Sequence, residues 1–381
     1  MQKQASITDE RVNELDGMRG IATILVISYH IFKRGDYFTT NPILHFITSL
    51  TLYGWYSLDT FYVLSGFLIA AILLRTKDDP RYFRNFYVRR SLRVFPLYYF
   101  VLALILLSMP ILDPDYVAEI PRALPYYLFY LNNIFHFTSE IKSTVFLSVT
   151  WSLAIEEQFY LLFPFLVYYT KKETLAKICA GIISLSILSR ILAAFFWTNV
   201  AQMTNFFFYN TFTRFEEISF GVLIAIAFTY PEWKTKLSKI SLPVFLIAYP
   251  LLLVIEVVTN TSIPHPAYEN VPLTVVGYTL ASIFAAALIV TLTTRSETSL
   301  IRRIFRNKFF VFWGNRSYAI YLFHIPVGLI LLDYFWSTDL RGWWMYFVYI
   351  GLTFGITILI SVLTWRFLEK PMLGLKKYFE Y

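Results

Sequence analysis

Long apolar runs of about 18 to 25 residues, separated by short polar stretches, recur along the whole chain and predict membrane-spanning helices. They lie at roughly 16–34, 51–74, 94–112, 147–169, 176–197, 211–230, 241–258, 273–293, 311–334 and 343–365. Positive charges orient them, because cytoplasmic loops carry the excess of Lys and Arg. The loop after the second run holds Arg75, Lys77, Arg81, Arg84, Arg89, Arg90 and Arg93, whereas the loop after the first has no basic residue except His45. Lys171/Lys172, Lys234/Lys236/Lys239, the cluster from Arg295 to Lys308 and Arg366/Lys370/Lys376/Lys377 then share the side of the N-terminus, with Arg341 as an exception. The aromatic segment 123–137 is short for a span and would put Lys171 and Lys172 outside if it crossed, so it reads as an interfacial or re-entrant helix. The pattern predicts an all-α polytopic membrane protein of about ten transmembrane helices plus that extra one, both termini cytoplasmic, in a single domain over residues 1–381.

Composition agrees. The chain is 57% hydrophobic, 19% aromatic and only 15% charged, with a mean hydropathy of +0.55, more apolar surface than a water-soluble fold of 381 residues buries. The net charge of +8 is accounted for by the cytoplasmic loops and does not require nucleic-acid binding. Cys179 is the only cysteine, so no intrachain disulfide forms. The polar N-terminal stretch lacks a cleavable signal pattern, the five histidines are scattered rather than set at metal-ligand spacing, and no Gly-rich phosphate loop is present.

Polar residues inside the apolar runs are the candidates for chemistry, since an ionisable side chain at mid-depth costs at least ~2.5 kcal/mol and normally faces a protein interior or a wet cavity. In LDGMRGIATILVISYH, Arg19 and His30 are eleven residues apart, which on a helix returns both to within ~20° of one face, ~16 Å apart along the axis. Two readings stand: a site histidine above an arginine, or a snorkelling anchor and a packing histidine. Asp59 sits at a depth similar to His30 in the next, oppositely running span, where a carboxylate could orient and polarise the imidazole. TWSLAIEEQFYLLFP sets Ser152, Glu156 and Tyr160 at four-residue steps on one face, with Glu157 about a quarter-turn away. Arg214, Glu216 and Glu217 lie near the outer end of the sixth span, where an ion pair with the Glu156 helix is one explanation. His324 in YAIYLFHIP is a lone intramembrane histidine, suited to helix packing, gating or catalysis. At the cytoplasmic end, Arg90 and Arg93 of VRRSLRVFP share a helix face, and two guanidinium forks there can seat phosphates or serve only as a stop-transfer cluster.

Together these segments resemble the membrane-bound acyltransferase family 3, the integral-membrane O-acyltransferases of bacterial polysaccharides. LDGMRGIATILVISYH looks like its signature, and FYVLSGFLI (61–69), RRSLRVFPLYY (89–99), TWSLAIEEQFYLLFP (150–164), NRSYAIYLFHIP (315–326) and RFLEKP (366–371) resemble its other landmarks in family order. The resemblance covers the whole chain and implies ten helices in the bacterial inner membrane. It implies transfer of an acyl group, most often acetyl, from acetyl-CoA to a hydroxyl of a lipid-linked or secreted glycan, such as a polysaccharide or lipopolysaccharide of the cell envelope. The expected partners are acyl-CoA, a glycan or glycolipid acceptor and the bilayer, without metal or nucleic acid. Many relatives carry a C-terminal SGNH-type domain, whereas this chain ends soon after RFLEKP, so either it completes the transfer alone or a separate protein does so.

The chemistry fits: a hydroxyl needs a general base, and a neutral imidazole with an ordinary pKa of ~6.5 supplies one. On this reading His30 is the base, with Asp59 and Glu156 as further catalytic candidates. Arg19, Arg90 and Arg93 hold the donor, and Ser152, Glu157, Tyr160 and His324 meet the acceptor. A covalent route in which His30 itself carries the acyl group stays open. The competing class is a proton-coupled transporter, but neither inverted repeats nor Gly- or Pro-broken helix pairs in matching positions occur in the sequence.

Overall fold

A computed structural model describes residues 12–35, 41–136, 142–259, 270–338 and 342–380, which form helices and turns with no strand among them. Arg341 lies outside the described residues. The α-helices in order are α1 (Asn13–Gly35), α2 (Pro42–Leu52), α3 (Ser57–Thr76), α4 (Tyr82–Leu112), α5 (Ile120–Leu128), α6 (Thr150–Tyr169), α7 (Lys172–Phe196) and α8 (Val200–Tyr209). They continue with α9 (Thr211–Ala227), α10 (Pro231–Thr259), α11 (Tyr278–Thr294), α12 (Leu300–Phe305), α13 (Lys308–Ser337), α14 (Trp343–Thr364) and α15 (Lys370–Gly374).

Among the described residues, seven helical runs are long and apolar enough to cross a membrane: 42–76, 82–112, 172–196, 231–255, 273–294, 308–337 and 343–378. Helices α1, α6 and α9 occupy the other three predicted spans; all three carry charged residues within their apolar runs, and α9 has only 17 residues. The protein is therefore an all-α polytopic membrane protein. Several helices outrun the apolar windows that predicted them. Hydropathy marks the stretch immersed in hydrocarbon, whereas a helix continues until a cap or breaker stops it. The run through α3, for instance, starts at Pro42, whose missing N–H costs nothing at a first helical position and whose neighbour Asn41 caps Ile43 N–H at 2.9 Å.

Among the described residues of segment 123–136, no helix is long enough to cross a bilayer. Its helix, α5, has nine residues and is followed by Tyr130 in the left-handed region (φ 55°) and a 3₁₀ turn at Asn132–His136. That conformation is held from three directions: Leu131 N–H bonds the Tyr126 carbonyl at 2.7 Å, Gln158 donates to the Tyr130 carbonyl at 2.7 Å, and the Tyr130 ring stacks on Tyr98 at 4.3 Å.

Contacts divide the described chain into two compact units, with boundaries inside α1, α6 and α13. Unit 1 comprises the chain up to Ala22, Tyr56–Asp78 and Phe159–Asn315. It is built on the crossing of α3 with α9, where the two glycines are obligatory: a Cβ on Gly66 would collide with the Ile218 carbonyl and one on Gly221 with the Val63 carbonyl. Unit 2 comprises Thr23–Trp55, Asp79–Gln158 and Arg316–Tyr381. Its core is aromatic and aliphatic, with Tyr98, Met109, Tyr127, Leu322 and Phe323 buried together. In unit 2 the start of α4 and the C-terminal tail meet: Asn85 donates to the Glu380 carbonyl at 2.7 Å and Arg89 to the Phe379 carbonyl at 3.3 Å.

Candidate functional site

Within unit 2, α1 and α13 bring two histidines together across 294 residues of sequence: His30 Nδ1 and His324 Nε2 are 3.1 Å apart. The other nitrogen of His324, Nδ1, lies 2.7 Å from the Tyr321 carbonyl. A carbonyl only accepts, so His324 Nδ1 carries the proton and, in the neutral ring, Nε2 is a lone pair. His30 Nδ1 must then be the donor of the histidine–histidine bond, which leaves the lone pair of His30 on Nε2. His324 is fully buried, while His30 is only half-buried.

Tyr321, on which this tautomer chain rests, is itself fixed by the start of α6. Its hydroxyl is 2.8 Å from Ser152 Oγ and 3.2 Å from the Val149 carbonyl, to which Ser152 Oγ also donates at 3.1 Å. Ser152 thus joins the histidines through Tyr321. Glu156 and Glu157 lie one turn further along α6, both half-buried, and Arg90 of α4 acts electrostatically on Glu157. Tyr160, across the unit boundary on the same helix, bonds Ser65 of α3 through a short hydroxyl–hydroxyl contact inside unit 1.

The base of unit 2 is strongly cationic. Arg89, Arg90 and Arg93 of α4, Arg316 of α13 and Lys376 of the tail are each half-buried, and the charges of all three α4 arginines act on Lys376. Glu369 is the nearby counter-charge, 3% exposed and within electrostatic range of Arg93 and Arg316, with neither carboxylate oxygen hydrogen-bonded. Half-buried like charges repel at short range unless an anion joins them. Arg19, the remaining donor candidate, lies in unit 1 and pairs with Asp16 at 3.1 Å.

Asp59 has a different setting. In unit 1 its carboxylate is 3.0 Å from the Arg214 guanidinium, which also bonds Glu217 at 2.7 Å and lies over the Tyr278 ring at 4.6 Å. Next to it, Arg190 of α7 pairs with Glu216 and donates to Ser186 Oγ (3.0 Å), Thr279 Oγ1 (2.9 Å) and the Val275 carbonyl (3.1 Å). Val275 belongs to a π-turn at Leu273–Gly277, a geometry that displaces carbonyls from the regular ladder and leaves them available to other donors. All five charged groups are 0–1% exposed.

Sequence reasoning passed over Arg190, Tyr321, Arg316, Glu369 and Lys376. Arg190 carried the same signal that singled out His30, an ionisable group deep in an apolar run. Tyr321 carried a spacing signal, three residues before His324 and so on its helix face. The other three were visible only as members of basic or motif segments.

Comparison with known proteins bears on this arrangement. A family profile described as an acyltransferase domain matches residues 12–366. A protein of Staphylococcus aureus strain COL with the provisional name O-acetyltransferase is 28% identical, over 94% of this chain and 56% of its own length. The peptidoglycan O-acetyltransferase OatA of Listeria monocytogenes is 27% identical (98% of this chain, 57% of its own), and the O-acetyltransferase OatA of Staphylococcus aureus strain NCTC 8325 is 26% identical (94% and 56%). The chain thus spans little more than half the length of these relatives. No solved structure matches.

Proposed function

Since the chain belongs to the acyltransferase domain family, we propose that it is a bacterial inner-membrane O-acyltransferase moving an acetyl group from cytoplasmic acetyl-CoA to a hydroxyl of a cell-envelope glycan. The names of the similar proteins support the acetyl group and the oxygen acceptor, and one of them acts by name on peptidoglycan. The observation that carries the reading is the relay Tyr321 carbonyl, His324, His30, which leaves a lone pair on His30 Nε2.

That nitrogen is the general base. The acceptor hydroxyl gives its proton to His30 Nε2 while its oxygen attacks the thioester carbonyl carbon. The tetrahedral intermediate collapses with cleavage of the carbon–sulfur bond, and the proton on His30 passes to the departing sulfur, leaving an ester and free CoA. His324 is the positioning residue: its lone pair faces His30 Nδ1–H throughout and stabilises the imidazolium that forms, as a carboxylate does in a catalytic triad but without a buried charge. Asp59, committed to Arg214, serves the framework of unit 1 in this account. Ser152 supports Tyr321, while Glu156 and Glu157 face the acceptor side of α6. Arg90 and Arg93, joined by Arg316 and Lys376, seat the phosphates of CoA, whose long pantetheine arm separates the thioester from the charged end. Both termini and this basic face are cytoplasmic, and the acceptor approaches from the opposite side.

Inside-out membrane vesicles offered labelled acetyl-CoA on their outer surface should transfer label to glycan held in the lumen, and vesicles with His30→Ala should not. Absence of transfer by the wild-type protein, or equal transfer by the variant, overturns the proposal.

A further inference from the structure

Unit 1 holds an apolar groove of about 710 Å³ that plays no part in the chemistry above. It lies where α7 and α10 begin and α9 and α11 end, with walls that include Leu223 and Ile226 of α9, Leu237 and Val244 of α10, and Ile283 and Val290 of α11. Its size falls in the ~300 to 1,000 Å³ range of small-molecule sites. Glu173, Tyr230, Glu232 and Trp233 line it at the helix starts, and Tyr230 ties the start of α7 to that of α10 by donating to Glu173 at 2.6 Å.

Among the described residues at this rim, positive charge is in excess. Lys171, Lys172, Lys234, Lys236 and Lys239 set five ammonium groups at the two helix starts against the carboxylates of Glu173 and Glu232. Two of the lysines are placed against rim aromatics, Lys172 over Tyr230 at 5.9 Å and Lys236 over Trp233 at 4.8 Å, and Lys234 lies over Phe228, next to Ala227 of the groove, at 5.5 Å. Trp233 is itself 51% exposed, as expected of an indole at the headgroup level of a bilayer. An apolar slot alone accepts any acyl chain. A slot ending in a cationic, aromatic rim selects a chain that ends in a negative headgroup, because lysines near an anionic leaflet gain electrostatic energy that a net-neutral headgroup does not return.

We propose that this groove binds one anionic phospholipid of the cytoplasmic leaflet, an acyl chain lying along α9, α10 and α11 and the phosphate among Lys172, Lys234 and Lys236. The assignment rests on the chain spanning a membrane and is independent of acyl transfer. Bound there, the lipid fills the space between α9 and α10 and stabilises unit 1.

Native mass spectrometry of the protein from mixed phosphatidylglycerol/phosphatidylcholine nanodiscs, followed through stepwise delipidation, tests it. Wild type should keep one last lipid, phosphatidylglycerol over phosphatidylcholine by at least about tenfold. K172Q/K234Q/K236Q, altered only at the rim, should keep a lipid but lose the preference. A227W, which places an indole in the slot, should keep none, with its fold checked by elution volume and helical circular dichroism. If A227W does not fold, A227L in the same experiment should retain the last lipid at least about threefold less often. Equal retention of both lipids by wild type, an undiminished preference in the lysine variant, or full retention in a folded groove-filled variant overturns the proposal, the first outcome marking the groove as a nonspecific chain or detergent site.

Discussion

The two units bury polar groups in opposite ways. In unit 1, two guanidiniums and three carboxylates are packed at 0–1% exposure, tied to one another, to hydroxyls, to a π-turn carbonyl and to the face of Tyr278. In unit 2, a fully buried histidine is tied to a backbone carbonyl and to a half-buried one, with no carboxylate between them. A charge in a low-dielectric interior survives only when its partners are fixed, and partners so fixed resist exchange of protons or ligands. A neutral histidine pair has lower desolvation costs than a buried ion pair. On the function proposed above, density of buried charge marks the framework, while the sparser and more accessible polar pair is the candidate for the chemistry.

The largest test of that contrast falls on His30. Loss of a general base typically costs ~10²- to 10⁴-fold in rate, so His30→Ala should lower acetyl transfer by that order. Its thermal unfolding should stay within a degree or two of wild type, because the ring is only half-buried. Retention of near wild-type turnover removes the histidine from catalysis.

Unit 1 should respond in the reverse manner. Removing one partner of a buried pair strands the others at a cost of ~3 to 5 kcal/mol, so Arg214→Met should sharply lower the unfolding temperature, and Asp59→Asn should do so to a lesser degree. Acetyl transfer per folded molecule should be close to wild type in Asp59→Asn. Normal stability combined with lost turnover in that variant would return Asp59 to the catalytic group and break the contrast at its sharpest point.

How much of this was readable in the sequence follows from range. The apolar runs are local signals, and each of the ten falls on a helix. The shortness of the helix in the aromatic segment 123–136 was readable for the same reason: a nine-residue α5 is ~13 Å long, less than half of a ~30 Å hydrocarbon layer. Depth also singled out His30, Asp59, Arg214 and His324. Pairing was not readable, because helix periodicity places a residue on a face without saying which distant helix that face meets. Asp59 and His324 were both at suitable depth to serve His30, and only the tertiary structure joins Asp59 to Arg214 of α9 and His30 to His324, 294 residues away. The cationic base of unit 2 was half-readable: Arg90 and Arg93 stood out by spacing, whereas Arg316 and Lys376 join them through packing of α13 and the tail.

That base extends the contrast to a third kind of site, where several half-buried cations gather near the buried carboxylate of Glu369. A charge-assisted contact to phosphate is worth ~1.5 to 3 kcal/mol. Arg90→Ala, Arg93→Ala and Arg316→Ala should therefore each weaken acetyl-CoA binding by roughly tenfold or more, read by isothermal titration, with acceptor KM little changed. Lysine at 90 or 93 keeps the charge but loses the two-pronged fork, and should recover only part of the affinity. Full recovery by lysine in both binding and turnover would reduce the pair to a topological anchor.

The smallest expected effect is the most specific to the histidine relay. His324 supplies a single neutral hydrogen bond to His30, and such bonds are worth ~0.5 to 1.5 kcal/mol net, about three- to tenfold in rate if realised in the transition state. His324→Ala removes the acceptor for His30 Nδ1–H, frees the ring to adopt the other tautomer and should lower kcat by that factor while leaving acetyl-CoA affinity alone. His324→Gln restores an acceptor oxygen near the position of Nε2, so it should regain much of the loss, whereas His324→Leu, similar in bulk but without an acceptor, should not. A merely structural role predicts the other order, with leucine the better replacement in a fully buried position. Since kcat in the three variants should rank glutamine above alanine and leucine, while unfolding temperature should rank leucine highest, the two scales separate tautomer control from packing. Parallel rankings on both scales would leave His30 without the orienting partner that distinguishes unit 2 from the charged framework of unit 1.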